Sequence, residues 1–187
     1  MICPWAKTNP LLREYHDKVW GKPCHDDHLL FEYLVLESFQ AGLSWLTILK
    51  KQAAFEEDFY HFDVSIVAKM TENDVERLLQ DDRIIRHRRK IENAIAIAKA
   101  VLKIQEEWGS LDRYIWSWTN GETIVSNRTD KEAFPVENEV SRRLSKDLKQ
   151  RGCRFVGSVT CYAYLQGIGV LNDHVAGCPS QYEEVRK

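Results

Sequence analysis

Nowhere in the 187 residues does an apolar run approach the roughly 20 residues needed to span a bilayer. The opening Met1-Ile2-Cys3-Pro4-Trp5 lacks the basic stretch and apolar core of a secretory leader. No membrane partner is therefore expected, and the cytosol is the expected compartment. Positive charge is not in excess either. Lys and Arg number 26 against 28 Asp and Glu, a net charge of −2, so any nucleic-acid contact must come from a local basic surface. Cysteine is sparse, odd in number at five, and irregularly spaced. In a reducing compartment that excludes a disulfide framework and leaves room for metal ligation. Internal repeats and low-complexity tracts are also missing.

The remaining composition, 44% hydrophobic and 29% charged, suits one packed soluble domain covering residues 1–187. The apolar period is helical almost throughout, so the fold class is all-α. Asp27 is placed to cap a helix carrying Leu29, Leu30, Phe31, Leu34, Val35 and Leu36. One further helix is predicted to hold Leu46, Ile48, Leu49, Ala53 and Phe55. Thr71-Glu72-Asn73-Asp74 reads as a capping box with Asp in the usual Glu place. A long helix with Ile84, Ile91, Ile95, Ala98 and Leu102 on one face should stop near Trp108-Gly109. Tyr114, Ile115, Trp116 and Trp118 mark another. Residues 119–136, including Asn127, Asp130 and Pro135, read as a loop with a short hairpin around Ile124-Val125. Helix returns from about Glu137 to Gln150, and a turn bounded by Gly152 and Gly157 leads into a last helix with Val159, Tyr162, Ala163 and Leu165. The tail, residues 181–187, is expected to fray.

Cys3 and His16 lie near one end, His174 and Cys178 near the other. Two thiols and two imidazoles are a complete ligand set for a tetrahedral structural zinc, one that would leave no open position to activate water. Such a site would clip the chain ends together. The plainer alternative is surface thiols and packing histidines. Cys24, His25 and His28 form a rival but incomplete group, read as solvated loop chemistry, while Cys153 and Cys161 look like small apolar fillers.

Glu37 follows Val35 and Leu36 directly, with Gln40 and Trp45 just beyond and Tyr15 elsewhere in the chain. An acid, an amide, an indole and a phenol suit a planar polar ligand if they meet. Core packing for the rings and solvent for Glu37 is the alternative. Arg83, Arg86, Arg88, Arg89 and Lys90 form one basic run; Arg142, Arg143, Lys146, Lys149, Arg151 and Arg154 form a second that leads into the Gly152–Gly157 turn. Glycines and a helix N-terminus there would let backbone N–H groups meet a phosphate. Two solvated helix faces would account for the same pattern.

Several segments meet in one family. Cys3 and Trp5, Tyr15-His16-Asp17, Trp20-Gly21, Glu37, Gln40-Ala41-Gly42-Leu43-Ser44-Trp45, Ile84-Ile85-Arg86-His87-Arg88, Phe155-Val156-Gly157 and Asn172-Asp173-His174-Val175 with Cys178 together resemble DNA-3-methyladenine glycosylase I. The resemblance runs from Cys3 to Cys178 and is weakest over 119–140. It implies the all-α, helix-hairpin-helix DNA glycosylase fold, with one structural zinc held by Cys3, His16, His174 and Cys178. It implies a base pocket from Glu37, Tyr15, Trp45 and Trp5, in which Glu37 is taken as the catalytic group and Gln40, from the residues themselves, as a further base contact. It implies hydrolysis of the N-glycosidic bond of 3-methyladenine in double-stranded DNA, by a monomer needing no protein partner. The DNA-facing residues implied are Gly42, Leu43, Arg86, Arg88, Arg89, Lys149, Gly152 and Gly157, with Leu43 as the wedge that fills the vacated stack. Two positions depart from the family pattern: Phe39 stands where a polar residue is expected, and the turn reads Arg151-Gly152-Cys153-Arg154 rather than a more apolar, glycine-paired one. The family generally lacks the catalytic Asp of related glycosylases, so Asp173 is given no such role. Two other classes stay open on the residues alone: a non-enzymatic module gripping DNA backbone, and a zinc hydrolase, which would need an open metal position.

Overall fold

The computed structural model describes residues 1–126, 128, 129, 133 and 135–181. The expected frayed tail therefore falls outside the described residues beyond Gln181, as do Asn127 and Asp130 of the expected loop. Ten helices order the described chain: α1 (Pro10–Lys18), α2 (Asp27–Gln40), α3 (Trp45–Leu49), α4 (Gln52–Asp58), α5 (Val64–Val67), α6 (Glu72–Gln80), α7 (Arg88–Trp108), α8 (Leu111–Ser117), α9 (Glu139–Gln150) and α10 (Ser158–Gly167). None is long and apolar enough to cross a membrane.

The centre is α2. Every residue from Leu30 to Phe39 is buried, because the sequence there is apolar on all sides and can sit only inside a shell of other helices. Helices α3, α7, α8 and α10 supply that shell. Phe39 joins a buried ring cluster with Phe55 at 4.7 Å and Phe59 at 5.8 Å. The aromatic residue at this position therefore serves packing rather than site polarity.

Some boundaries differ from expectation for physical reasons. Asp26, not Asp27, caps α2, its carboxylate accepting from the amides of His28 and Leu29. Asp27 instead accepts from the amides of Leu111 and Asp112, satisfying the orphan donors that start α8. The single helix expected over 46–55 is two, α3 and α4. The Thr71–Asp74 capping box forms as expected, with the Thr71 amide donating to Asp74 at 2.8 Å. The long helix does end at Gly109, but it begins only at Arg88, so Ile84 precedes it and the first basic run straddles its start. Ile124 and Val125 form no hairpin. They make β1 (Ile124–Val125), which pairs in parallel with the distant β2 (Leu171–Asn172), placing Ile124 opposite Leu171.

The C-terminal end of α10 receives the segment after α1. Gly21 N–H donates to the Gln166 carbonyl at 2.8 Å, and Cys24 N–H to Ile168 at 3.0 Å. The contact is so close that a Cβ at Gly169, where φ is +76°, would lie 2.1 Å from the carbonyl carbon of Lys22. Neither backbone can yield without breaking those bonds. Gly169→Ala should therefore destabilise the protein by about 3 kcal/mol or more, through combined clash and left-handed strain. Denaturant unfolding of the purified variant checks this, and an unchanged midpoint would refute the close-approach argument.

Candidate active site and metal group

Four segments converge on one cleft of about 270 Å³. The 3₁₀ turn Pro4–Lys7 brings Trp5, α1 brings Leu12 and Tyr15, the end of α2 brings Glu37 and Gln40, and the first residue of α3 brings Trp45. Trp20, Ala163 and Gln166 close it. All five residues singled out from sequence for the pocket thus share one cavity. The Tyr15 and Trp45 rings lie 5.2 Å apart, tilted by 52°.

Glu37 is 3% exposed, and its Oε2 has no hydrogen-bond partner among the described residues. Desolvation is the whole cause of a carboxyl pKa pushed up to about 8. The buried Nε1 of Trp45 is likewise without a partner there. Of the buried side-chain atoms without a partner among the described residues, these two belong to residues that line the one cleft, which suits a ligand with complementary polar atoms.

Sequence reasoning missed what makes room. A Cβ at Gly167 would lie 2.9 Å from the Tyr15 hydroxyl and 3.8 Å from Glu37 Oε1. The absent side chain lets the phenol and the carboxyl approach the same wall. Gln166 was also missed. Its Nε2 donates to Asp173 at 2.6 Å, as does the Tyr162 hydroxyl. Asp173 is thereby a buried acceptor fixing the cleft wall. Leu12, Ala163 and Gln166 carry no sequence signal of their own; only the Trp20-Gly21 segment was visible.

The cleft backs onto the metal group. Tyr15 and His16 are consecutive on α1, so one turns to the cleft and the other away from it. Trp5 packs against Tyr15, His16 and Trp20, with the Trp20 centroid 5.0 Å away. Cys3, His16, His174 and Cys178 are all buried, and one ligand atom from each lies within 4.8 Å of all the others. The surface-thiol alternative is thus overturned. His16 Nε2 is 3.1 Å from His174 Nδ1 and 3.5 Å from Cys178 Sγ, while Cys3 Sγ is 3.5 Å from His174 Nδ1. Tetrahedral zinc with sulfur and nitrogen ligands needs ligand separations of about 3.3–3.8 Å.

The outer nitrogens agree with this donor set. His16 Nδ1 meets Asp17 at 2.7 Å and His174 Nε2 meets the Trp20 carbonyl at 2.9 Å, so the inward nitrogens present lone pairs. Burial holds both imidazoles neutral, with His174 down to about 4, and raises the Cys3 thiol to about 11. The residues fit a thiophilic cation. The rival group does not assemble: Cys24 is buried, His25 pairs with Asp112, and His28 meets the His61 carbonyl. Cys153 and Cys161 are buried fillers as expected.

The basic runs are less free than their sequence suggests. Arg83 pairs with Asp81 and Glu57, Arg88 with Glu72 and Glu76, Arg142 with Glu137, and Arg151 with Asp147 and Glu107. Lys90 is buried, and Arg143 lies over Trp118. Arg86, Arg89, Lys146, Lys149 and Arg154 are exposed and have no ion pair among the described residues. Arg88, expected to face a phosphate, instead sits between carboxylates. Gly152 is exposed at φ +93°, whereas Gly157 is the extended N-cap of α10.

Comparison with known proteins follows this geometry closely. A family model described as methyladenine glycosylase matches residues 5–182. The DNA-3-methyladenine glycosylase of Haemophilus influenzae is 44% identical over 177 residues, 95% of this chain and 96% of that one. DNA-3-methyladenine glycosylase 1 of Escherichia coli is 44% identical over 94% of each chain. Among solved structures, a tyrosine-to-phenylalanine variant of 3-methyladenine DNA glycosylase I in complex with 3-methyladenine superposes with a TM-score of 0.94. It shares 40% identity and covers 97% of this chain and 98% of that one. The 3-methyladenine DNA glycosylase I of Staphylococcus aureus superposes at 0.93, with 40% identity over 97% of each chain.

Glu37 makes stability pH-dependent in a defined direction. Its folded pKa of about 8 lies above the ordinary 4.5, so the folded state holds the proton more tightly. Stability from this group is full below about pH 4.5 and is lost as pH rises through about 8. Glu37→Gln should therefore gain stability over the parent on going from pH 5 to pH 8.5. Paired denaturant melts at the two pH values would show it, and a constant difference between the proteins would contradict it.

Proposed function

Because the chain belongs to the methyladenine glycosylase family, we propose that its cleft takes 3-methyladenine flipped out of DNA and that Glu37 and Trp45 are the groups that select it. The protein is a monofunctional DNA glycosylase that begins base-excision repair of this lesion. The observation that carries the pocket assignment is the pair of unmet buried atoms, Glu37 Oε2 and Trp45 Nε1, at the edge of one cleft. The non-enzymatic module read from the basic runs would leave that cleft idle.

The chemistry asks little of the protein's acids. Methylation at N3 gives the purine a positive charge. Water adds to the anomeric carbon, the C1′–N9 bond breaks with its electron pair going to the purine, and the water's proton passes to solvent. The base departs neutral and leaves an abasic site. Positioning and charge complementarity therefore supply much of the rate. Trp45 offers a stacking face worth about 0.5–2 kcal/mol for a cationic base. Arrival of the cation favours ionised Glu37 over the neutral acid of the open cleft, and the carboxylate accepts from the exocyclic amine. Tyr15, Gln40 and Trp5 complete the edge and the wall. Ordinary adenine brings no charge to offset the desolvation of Glu37, which is the basis of selection.

Leu43, 39% exposed beyond the end of α2, enters the stack where the base has left. The α9–turn–α10 unit acts as a helix-hairpin-helix, with Gly152 and Gly157 near a phosphate and Arg86, Arg89 and Lys149 on neighbouring ones; Arg88 joins them only by leaving Glu72 and Glu76. Cys3, His16, His174 and Cys178 would hold one zinc ion, which would supply a structural cross-link. These residues form one domain that works as a monomer, in a compartment where five cysteines, none in a disulfide, stay reduced.

Glu37→Gln should lower excision of 3-methyladenine from methylated duplex by at least about tenfold while keeping the fold. Chromatography of released purines measures it, and a parental rate would remove Glu37 from the mechanism. Cys178→Ala should lower the melting temperature and the zinc content, yet leave free-base affinity at permissive temperature nearly unchanged. Stoichiometric zinc with unaltered melting in that variant would count against the four-ligand assignment.

A further inference from the structure

Lys90 is a lysine almost out of reach of water, 6% exposed, and it forms no ion pair among the described residues. Burial lowers its pKa. An apolar side chain of similar volume would fill the space at lower cost, so the retained ammonium calls for a purpose. Its two hydrogen bonds show one. Nζ donates to the carbonyls of Phe39 at 2.8 Å and Ala41 at 2.7 Å. These flank Gln40, the last residue of α2, where carbonyls lack helical partners. A cation from another helix thus caps α2 and complements its dipole.

Gln40 in turn shapes the loop beyond. Its carbonyl accepts from the Leu43 amide at 2.7 Å, and its Nε2 donates to the Leu43 carbonyl at 3.3 Å. Gly42 between them, at φ +79°, makes the reversal that leaves Leu43 projecting. On its other side Lys90 Nζ lies 5.7 Å from the ring of Phe155, in the turn between α9 and α10. Phe155 itself has φ +52° and packs edge-on against His87. One side chain therefore touches the end of α2 and the hairpin turn, from the start of α7.

We propose that Lys90 is a positioning residue that holds the 41–44 loop in the shape that drives Leu43 into the duplex, and that it ties this loop to the hairpin gripping the backbone. The inference rests on Leu43 being the wedge. It gives Lys90 no contact with the base. Loss of Lys90 then impairs extrusion of a paired lesion much more than it impairs the cleft.

Single-turnover excision by the full-length protein tests this on two duplexes, one with 3-methyladenine paired to thymine and one with it opposite an abasic site, where less pairing must be broken. Lys90→Gln should slow excision from the paired duplex by about tenfold or more, but from the unpaired one by less than about threefold. Its affinity for free 3-methyladenine should stay within about twofold of the parent, and Lys90→Arg should restore most of the paired-duplex rate. Combined with Leu43→Ala, Lys90→Gln should add little further loss, since both act on one step. Lys90→Met, which fills the space without donors, serves if the glutamine variant does not fold. Equal losses on both duplexes, lost free-base binding, or full additivity with Leu43→Ala would overturn the proposal. Leu43→Ala behaving alike on the two duplexes would sink the wedge reading itself, whereas selectivity in Leu43→Ala without selectivity in Lys90→Gln would sink only the role of Lys90.

Discussion

A carboxyl group held in a nearly dry cleft with one oxygen unmet is the constraint around which this molecule is arranged. Such a group is costly, and folding alone gives no reason to keep it. Glu37 is held there by the buried body of α2, which cannot turn in its shell of helices without exposing Leu30, Leu34 or Phe39. Gly167 leaves room beside it, and Trp45 lines the same cleft. A carboxyl group so placed is destabilised in a way that a cationic ligand would relieve.

The second structural theme is the sharing of a wall between the cleft and the metal group. Tyr15 and His16 are neighbours on α1, and Trp5 touches both as well as Trp20. Residues near the two ends of the described chain thus meet behind the cleft, reinforced by the Met1 amine donating to Gly177. A metal there would not take part in bond cleavage. Its effect would be to fix a wall contributed by the segments otherwise most prone to fray, which is what an organised site on a small helical domain requires.

The net charge is slightly negative, and several cations of the two basic runs are neutralised by neighbouring acids. What remains exposed and without an ion pair among the described residues is Arg86 and Arg89 at the start of α7, Lys146 and Lys149 in the second half of α9, and Arg154 in the turn after it.

Periodicity and capping chemistry were legible because they are local. The apolar run of α2, the Thr71–Asp74 box and the stop at Gly109 each follow from residues a few positions apart. The four metal ligands and the pocket residues Glu37, Gln40, Trp45, Tyr15 and Trp5 were legible as residue types, and the family resemblance grouped them, but spacing alone did not. Other features came only from long-range contact. Asp26 rather than Asp27 capped α2 because Asp27 was needed by α8, more than 80 residues away. Ile124-Val125 paired with Leu171-Asn172 rather than folding back locally. Gly167, Gln166 and Lys90 look unexceptional in the chain and matter only through what lies against them. The sequence by itself determined a helical protein of a known repair family and named the chemistry of its site. Tertiary structure alone decided that Glu37 is desolvated, that Cys3, His16, His174 and Cys178 converge, and which cations stay free, because burial and pairing depend on every element packed around a residue and not on its neighbours in the chain.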